Sequence, residues 1–374
     1  MTNERENRLS RRRLIQGASA LAGAAALAPT HRPFGVMAAD DPWATPPDAA
    51  KAAEQAKDFQ TYGMPDDWAN YGEVLAKFAA KYSLQLKHVD TDHSSKEEID
   101  LFDKEKGNPV ALSADIGLLW GSVAEKQGVV PSYMPASAEK LPAGLKAANG
   151  GWVATFTGVP AMVVNTDLVK TLPASWEDLL KPEFSGKIGS PGDPRASGTA
   201  QATFMAWAFA NGGDENNLKP AVEFAKKILP QYSASAASLE AVQKGEQVMR
   251  IQYDFNCAAT VANLKKAGVN AQVVIPGVSI YAPSALMINK YNTAKKDVAQ
   301  LFLEFVLSDE AQIAFAKFGA RPIRYVLGDL KLPDDAKALW LPDSQYAKVV
   351  QVKDFTKIDA LKIAQIWDDQ VASA

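Results

Sequence analysis

Phe59-Gln60-Thr61-Tyr62-Gly63, Leu84-Gln85-Leu86-Lys87-His88-Val89 and Ala114-Asp115-Ile116-Gly117-Leu118-Leu119-Trp120 are three runs of strand length, and what lies between them reads as helix. After the first run, Gly63-Met64-Pro65 breaks the chain and Asp67 is placed to cap a helix. Trp68, Tyr71, Val74, Leu75 and Phe78 then recur at three- and four-residue spacing. After the second run, Ser94 or Ser95 stands three residues before Glu97 or Glu98, the reciprocal cap of a helix start, with Ile99 and Phe102 as the buried face. A strand–helix–strand–helix–strand order predicts an α/β architecture with parallel, doubly wound sheets.

The alternation continues toward the C-terminus. Val153 to Phe156 and Pro160 to Asn165 are apolar strands interrupted at Gly158, and Lys187-Ile188-Gly189 is a short strand leading into Gly192-Asp193-Pro194-Arg195. Helices are expected over Thr199 to Ala210, stopped by Asn211-Gly212-Gly213, from Pro220 through Ile228, and over Ser238 to Lys244. Val248 to Tyr253 is a strand, Asn256 to Ala267 a helix, and Ala271 to Ile275 a strand that ends at Pro276-Gly277. Ser284 to Ile288 follows, and the rest is mostly helical: Ala294 to Val306, Glu310 to Phe318 and Ile358 to Val371.

The N-terminus reads as an address. Ser10-Arg11-Arg12-Arg13-Leu14-Ile15 precedes the apolar run Gly17 to Ala28, which is too short to span a bilayer and long enough for a signal h-region. A serine before paired arginines with apolar residues after them matches the twin-arginine pattern. Val36-Met37-Ala38 offers a cleavage site, so residues 1–38 form the expected twin-arginine signal peptide and the twin-arginine translocase is the expected partner during export. Removing them shifts the net charge from -3 to about -7, which with no basic run argues against nucleic acid as a partner. No cysteine follows the apolar run closely, so a lipid anchor is not expected and the product is read as a soluble periplasmic protein. The single Cys257 excludes an intrachain disulfide.

The inventory for catalysis is thin. Of three histidines, His31 falls in the signal, and no H-E-x-x-H, C-x-x-C or clustered Asp loop is present, so no metal is expected. There is no G-x-S-x-G elbow, and Gly189 and Gly192 do not complete a dinucleotide fingerprint, so neither a catalytic residue nor a cofactor is assigned. Ligands of open α/β sheets bind where strands hand over to helices. The segments there supply the candidate ligand-binding residues: Tyr62, His93, Ser94, Ser95, Arg195, Ser197, Thr199, Tyr253 and Asp254. Arg195, Ser197 and Thr199 stand at a helix start, where free N–H groups and the dipole favour an anion and a guanidinium adds a fork. The same residues also suit a plain N-cap and a surface charge. Ser94, Ser95 and Asp254 carry the same two readings, Asp254 as a cap or as an acceptor from a ligand hydroxyl or amine.

Several strings taken together resemble extracellular solute-binding proteins of ABC importers, in the branch related to ferric-iron and thiamine receptors. They include Asp115-Ile116-Gly117, Gly158-Val159-Pro160, Asn165-Thr166-Asp167-Leu168, Asp193-Pro194-Arg195 and Ile275-Pro276-Gly277-Val278-Ser279. The most specific is Ser175-Trp176-Glu177-Asp178-Leu179-Leu180-Lys181-Pro182-Glu183-Phe184-Ser185-Gly186-Lys187. The resemblance implies a two-lobed periplasmic-binding-protein fold, closing like a hinged clamp on a small-molecule solute and delivering it to an inner-membrane ABC permease. With Gly158-Val159-Pro160 and Pro276-Gly277-Val278 as crossings, residues 39–158 and 277–374 form one lobe with the C-terminal helices, and residues 159–276 the other. The iron branch uses two neighbouring tyrosines, where this chain has Tyr253-Asp254. A monomer binding a small organic, anionic or phosphorylated solute is therefore the expectation. Ferric iron, thiamine or polyamine are the alternative ligands, and an exported twin-arginine-dependent enzyme is the alternative function.

Overall fold

Three strands, β1 (Phe59–Tyr62), β2 (His88–Thr91) and β3 (Ser113–Gly117), run parallel to one another at the start of the chain, as their wording predicts. The computed structural model describes residues 41–373, so the signal-peptide reading of residues 1–38 lies outside it. Around these strands pack α1 (Ala49–Gln55), α2 (Tyr71–Tyr82), α3 (Ser95–Lys104) and α4 (Gly121–Gln127). Next come β4 (Trp152–Gly158) and β5 (Pro160–Asn165), every residue of both buried. Then follow β6 (Ile188–Gly189), α5 (Gly198–Ala210), α6 (Lys219–Ile228), α7 (Leu239–Gln243), β7 (Met249–Tyr253), α8 (Asp254–Lys266) and β8 (Ala271–Val274). The chain returns through β9 (Ser279–Ile280), β10 (Ala282–Ile288), α9 (Lys296–Phe305), α10 (Asp309–Phe318) and β11 (Arg321–Pro322). Beyond these, β12 (Val349–Val350) pairs with β9, and a last helix covers Ala360–Trp367.

The strands sort into two main sheets. One has the order β11-β4-β10-β3-β1-β2, the other β6-β7-β5-β8. Only Val159 separates β4 in the first sheet from β5 in the second, so the chain crosses between sheets in one residue. It crosses back after β8, through Ile275 to Val278 and β9, before β10 enters the first sheet. The parallel run β1 to β3 does not extend across either whole sheet. β10 lies antiparallel to both β3 and β4, and β5 antiparallel to both β7 and β8. A strand that returns from the other sheet enters from the opposite end, which fixes its direction.

Two local expectations also shift. α2 starts at Tyr71 and not after Asp67, because Ala69 and Asn70 adopt left-handed backbone (φ 49 and 74). That turn lets the Trp68 indole point inward, where it donates to Asp115. The stretch from Leu84 is a connection, and β2 begins only at His88, since the left-handed Ser83 ends α2 and the Leu84 N–H returns to the Ala79 carbonyl. The capping box does form, with Ser94 N–H donating to Glu97 Oε2 at 2.8 Å. Among the described residues no helix is long and apolar enough to cross a membrane.

Candidate functional site

α3, beside the first sheet, and α5, beside the second, aim their amino ends at the seam between the sheets. Ser197 caps α5, its Oγ accepting from Ala200 N–H at 3.3 Å. The Gly198 and Thr199 N–H groups find no acceptor among the described residues. The two helix starts meet: Lys96 N–H donates to the Ala196 carbonyl at 3.2 Å. Gly117 and Gly198 touch backbone to backbone, and a Cβ on Gly117 would stand 2.8 Å from the Gly198 Cα, so only glycine permits the approach. Behind this contact lies a cavity of about 290 Å³, the volume of roughly ten water molecules. Two helix N-termini lend it a positive field.

The wall on the first-sheet side is acidic. Asp115, on β3, is buried and accepts from Trp68 Nε1 at 2.7 Å and Tyr71 OH at 2.9 Å. Burial outweighs those two bonds and pushes its carboxyl up to about 8. Glu98, on α3, is 1% exposed and its Oε2 has no hydrogen-bond partner. It occupies the space that a side chain on Gly63 would need: a Cβ there would lie 2.0 Å from Glu98 Oε1, and Gly63 also holds φ +63. Burial drives the Glu98 carboxyl well above the usual range, and Asp115, Asp90, Asp92 and Glu97 add to the effect. Asp92 is raised by burial as well, then by Asp90. His93 and Ser94 line the same side, with Ser95, whose Oγ accepts from Gly117 N–H at 3.0 Å.

The opposite wall carries an arginine. Arg250 extends from the middle of β7 into the cavity lining, and no carboxylate lies within ion-pair reach among the described residues. Its Nε is buried without an acceptor, and burial lowers its pKa while the guanidinium stays charged. Facing it across the strand pair, Gly189 leaves room: a Cβ there would come within 3.2 Å of Arg250 Cγ. Tyr253 completes the wall, stacked on Phe255 and edge-on to Trp68 across the seam.

Of the residues singled out from sequence, His93, Ser94, Ser95, Ser197, Thr199 and Tyr253 line this cavity. Three others lie elsewhere. Arg195 is half exposed, bonded through Nη2 and Nε to Asp193 and through Nη1 to Asp368 at 3.1 Å, so its fork is already filled. Asp254 is buried behind the wall, where it pairs with Arg321 at 3.2 Å. Tyr62 turns its hydroxyl to Glu105 at 2.8 Å. Arg250, Glu98, Asp115 and Trp68 were not among the sequence candidates. The one available signal was a lone arginine inside an otherwise uncharged strand, Met249-Arg250-Ile251-Gln252-Tyr253. A larger groove, about 430 Å³, runs past Trp152 and Phe355. Its one carboxylate, Glu125, is already satisfied by Ala148 and Trp152, and its wall is mostly apolar.

A pH response follows from Asp115. Its folded-state pKa lies near 8, above the ordinary 3.8. Between those values the native protein holds a proton that the unfolded chain has released, so the group's contribution to stability falls as pH rises through this window and levels off above it. Melting curves of wild type and Asp115→Asn across that range should diverge, the wild type losing ground to the variant as pH rises. A constant difference would mean that Asp115 is ionised throughout.

The profile of the bacterial extracellular solute-binding proteins matches residues 120–348. A sulfate-binding protein of Synechococcus elongatus is 24% identical over 266 residues, covering 68% of this chain and 70% of its own. Among solved structures, the periplasmic binding protein AfuA of Actinobacillus pleuropneumoniae, with fructose-6-phosphate bound, aligns with TM-score 0.67 at 20% identity. The alignment covers 84% of this chain and 99% of that one. The ferric binding protein of Campylobacter jejuni aligns with TM-score 0.59 at 18% identity, covering 82% and 98%. At these identities the structural likeness speaks for the two-lobed fold alone.

Proposed function

The chain belongs to the bacterial extracellular solute-binding proteins, and from that premise we propose that it captures a small organic anion, carboxylate or phosphate, between its lobes for an ABC importer. The observation that carries this reading is Arg250, half-buried with its Nε unbonded and no ion-pair partner among the described residues, on the same cavity as two helix amino ends. A buried charge left unpaired is costly, and an anionic ligand offsets that cost when it binds. The anion moves from Arg195, whose donors are spent on Asp193 and Asp368, to Arg250. Ser197 and Thr199 keep their place in it, since Gly198 and Thr199 offer free N–H groups at the start of α5. In this reading residues 39–158 and 277–374 make one lobe and 159–276 the other, with the hinge at Val159 and at Pro276-Gly277. The working form is a monomer in the periplasm, exported by the twin-arginine route and docking on an inner-membrane permease. The relatives' names span sulfate, a sugar phosphate and ferric ion, so the solute has to come from this chain's own cavity.

A thermal-shift screen of small organic anions and sugar phosphates tests the reading. A ligand that binds only the folded form stabilises it by about 2.7 kcal/mol at a hundredfold excess over Kd. At least one anion should raise Tm in this way. If ferric iron or amines lacking an acid group are the only stabilisers, the anion assignment fails.

A further inference from the structure

Resting on the anion reading just given, we propose that the solute is dipolar: an acid group at one end, held by Arg250 and the start of α5, and a primary ammonium at the other, held by Glu98 and Asp115 with Trp68 and Tyr253 beside it.

The acidic wall is what the anion alone leaves unexplained. Glu98 is 1% exposed, lines the cavity and leaves Oε2 with no partner. Groups buried in this way are bonded in nearly all native proteins, so an unbonded one that borders a cavity points to something that enters it. Asp115 stands next to it with one acceptor direction on each oxygen already used by Trp68 and Tyr71; an arriving ammonium favours the ionised carboxylate, in which a second lone pair on each oxygen is free to accept. Asp92 lines the same side. Among the described residues no lysine or arginine pairs with Glu98, Asp115, Asp92 or Asp90; the nearby Lys96 is bonded to Asp100. A sugar hydroxyl needs one or two acceptors and brings no charge to such a group. An ammonium has three donors and a full positive charge, which suits several converging carboxyls. Trp68 and Tyr253 line the same cavity with aromatic rings, whose faces favour a cation over a neutral hydroxyl. Arg250 lies on the other lobe, so acid and amine would be gripped from opposite sides and the ligand itself would join them. A cavity of about 290 Å³ admits a short chain between the two ends.

Calorimetric titration of the wild-type protein with two matched series tests this: phosphoethanolamine, ethylene glycol monophosphate and ethyl phosphate; and γ-aminobutyrate, γ-hydroxybutyrate and butyrate. In at least one series the amine-bearing acid should bind roughly tenfold or more tighter than its hydroxyl and alkyl partners, the gain of a charge-assisted bond. Glu98→Gln, which keeps the side-chain shape, should erase that preference. The preference in the wild type stands without any variant, so a poorly folding Glu98→Gln does not remove the test. Equal or tighter binding of the hydroxyl or alkyl acids, with Arg250→Met still abolishing it, overturns the dipolar assignment and leaves the anion reading standing. Binding of the amines that is indifferent to Arg250→Met sinks the anion reading, and the dipolar one with it. No binding in either series also overturns the dipolar assignment for acids of this size.

Discussion

Arg250→Met should abolish high-affinity solute binding while leaving the empty protein as stable as wild type or more so. The two effects have opposite signs because Arg250 Nε is buried without an acceptor and the side chain has no ion-pair partner among the described residues. Truncating one member of a buried charge pair costs about 2–5 kcal/mol of binding, so affinity should fall by roughly thirtyfold to several thousandfold. In the empty protein the same change removes a half-buried charge whose Nε is unbonded and keeps the apolar stem that packs near Gly189. Arg250→Lys should recover only part of the affinity, since an ammonium cannot reproduce the planar fork. Arg195→Ala is the control. Its ion pairs with Asp193 and Asp368 are at the surface, where such pairs contribute about 0–1 kcal/mol, and affinity should not change. Titration calorimetry with the tightest anion from the screen, run beside melting curves, gives both readouts. Unaltered affinity in Arg250→Met would remove the anion from this cavity altogether.

The contrast between these two arginines shows what a linear sequence carries and what it hides. Apolar periodicity and turn residues mark most elements, and the start of α5 is legible because Ser197 or Thr199 reads as a cap at a helix start. Strand ends were searched for ligand groups, and that rule found Ser94, Ser95, Thr199 and Tyr253. It missed Arg250 and Asp115, which project from within strands, and Glu98, which projects from the first turn of a helix. Their roles depend on which neighbours are absent, and that is settled only when the lobes meet. Arg195 looked poised for an anion, but its donors close on Asp193 two residues away and on Asp368, which is 173 positions distant. No local pattern announces the second partner. Tyr62 sits at the end of β1, as expected, with its ring against Phe102 and edge-on to His93 and its hydroxyl donating to Glu105. Direction of growth along the side chain, more than position along the chain, separated the residues that line the site from those that do not.

Asp254 illustrates the same point and yields the largest expected effect on stability. Read as a ligand contact, it proves to be the centre of a buried knot at the place where the chain crosses between sheets. Its Oδ1 accepts from Val159 N–H at 2.9 Å, and its own N–H donates to the Val159 carbonyl at 2.9 Å, so it grips the single residue between β4 and β5 from both sides. Its Oδ2 accepts from Tyr346 OH at 2.6 Å and from Arg321 Nη1 at 3.2 Å. The Arg321 guanidinium lies over the Tyr346 ring at 3.5 Å and the Trp340 ring at 4.5 Å, which shields it from water. Arg321 in turn sits on β11, paired with Thr157 of β4. Removing either charge leaves the other buried and uncompensated, at a cost of about 3–5 kcal/mol. Asp254→Ala and Arg321→Ala should each lower the unfolding free energy read from urea titrations by that margin. The double variant should cost clearly less than the two added together, because neither charge is then left alone. Solute affinity in the folded fraction of Asp254→Asn should stay near wild type, since the carboxylate faces Val159, Tyr346 and Arg321 and not the cavity. A small, additive loss in the urea series would mean that water reaches the pair. A collapse of affinity without loss of stability would return Asp254 to the ligand.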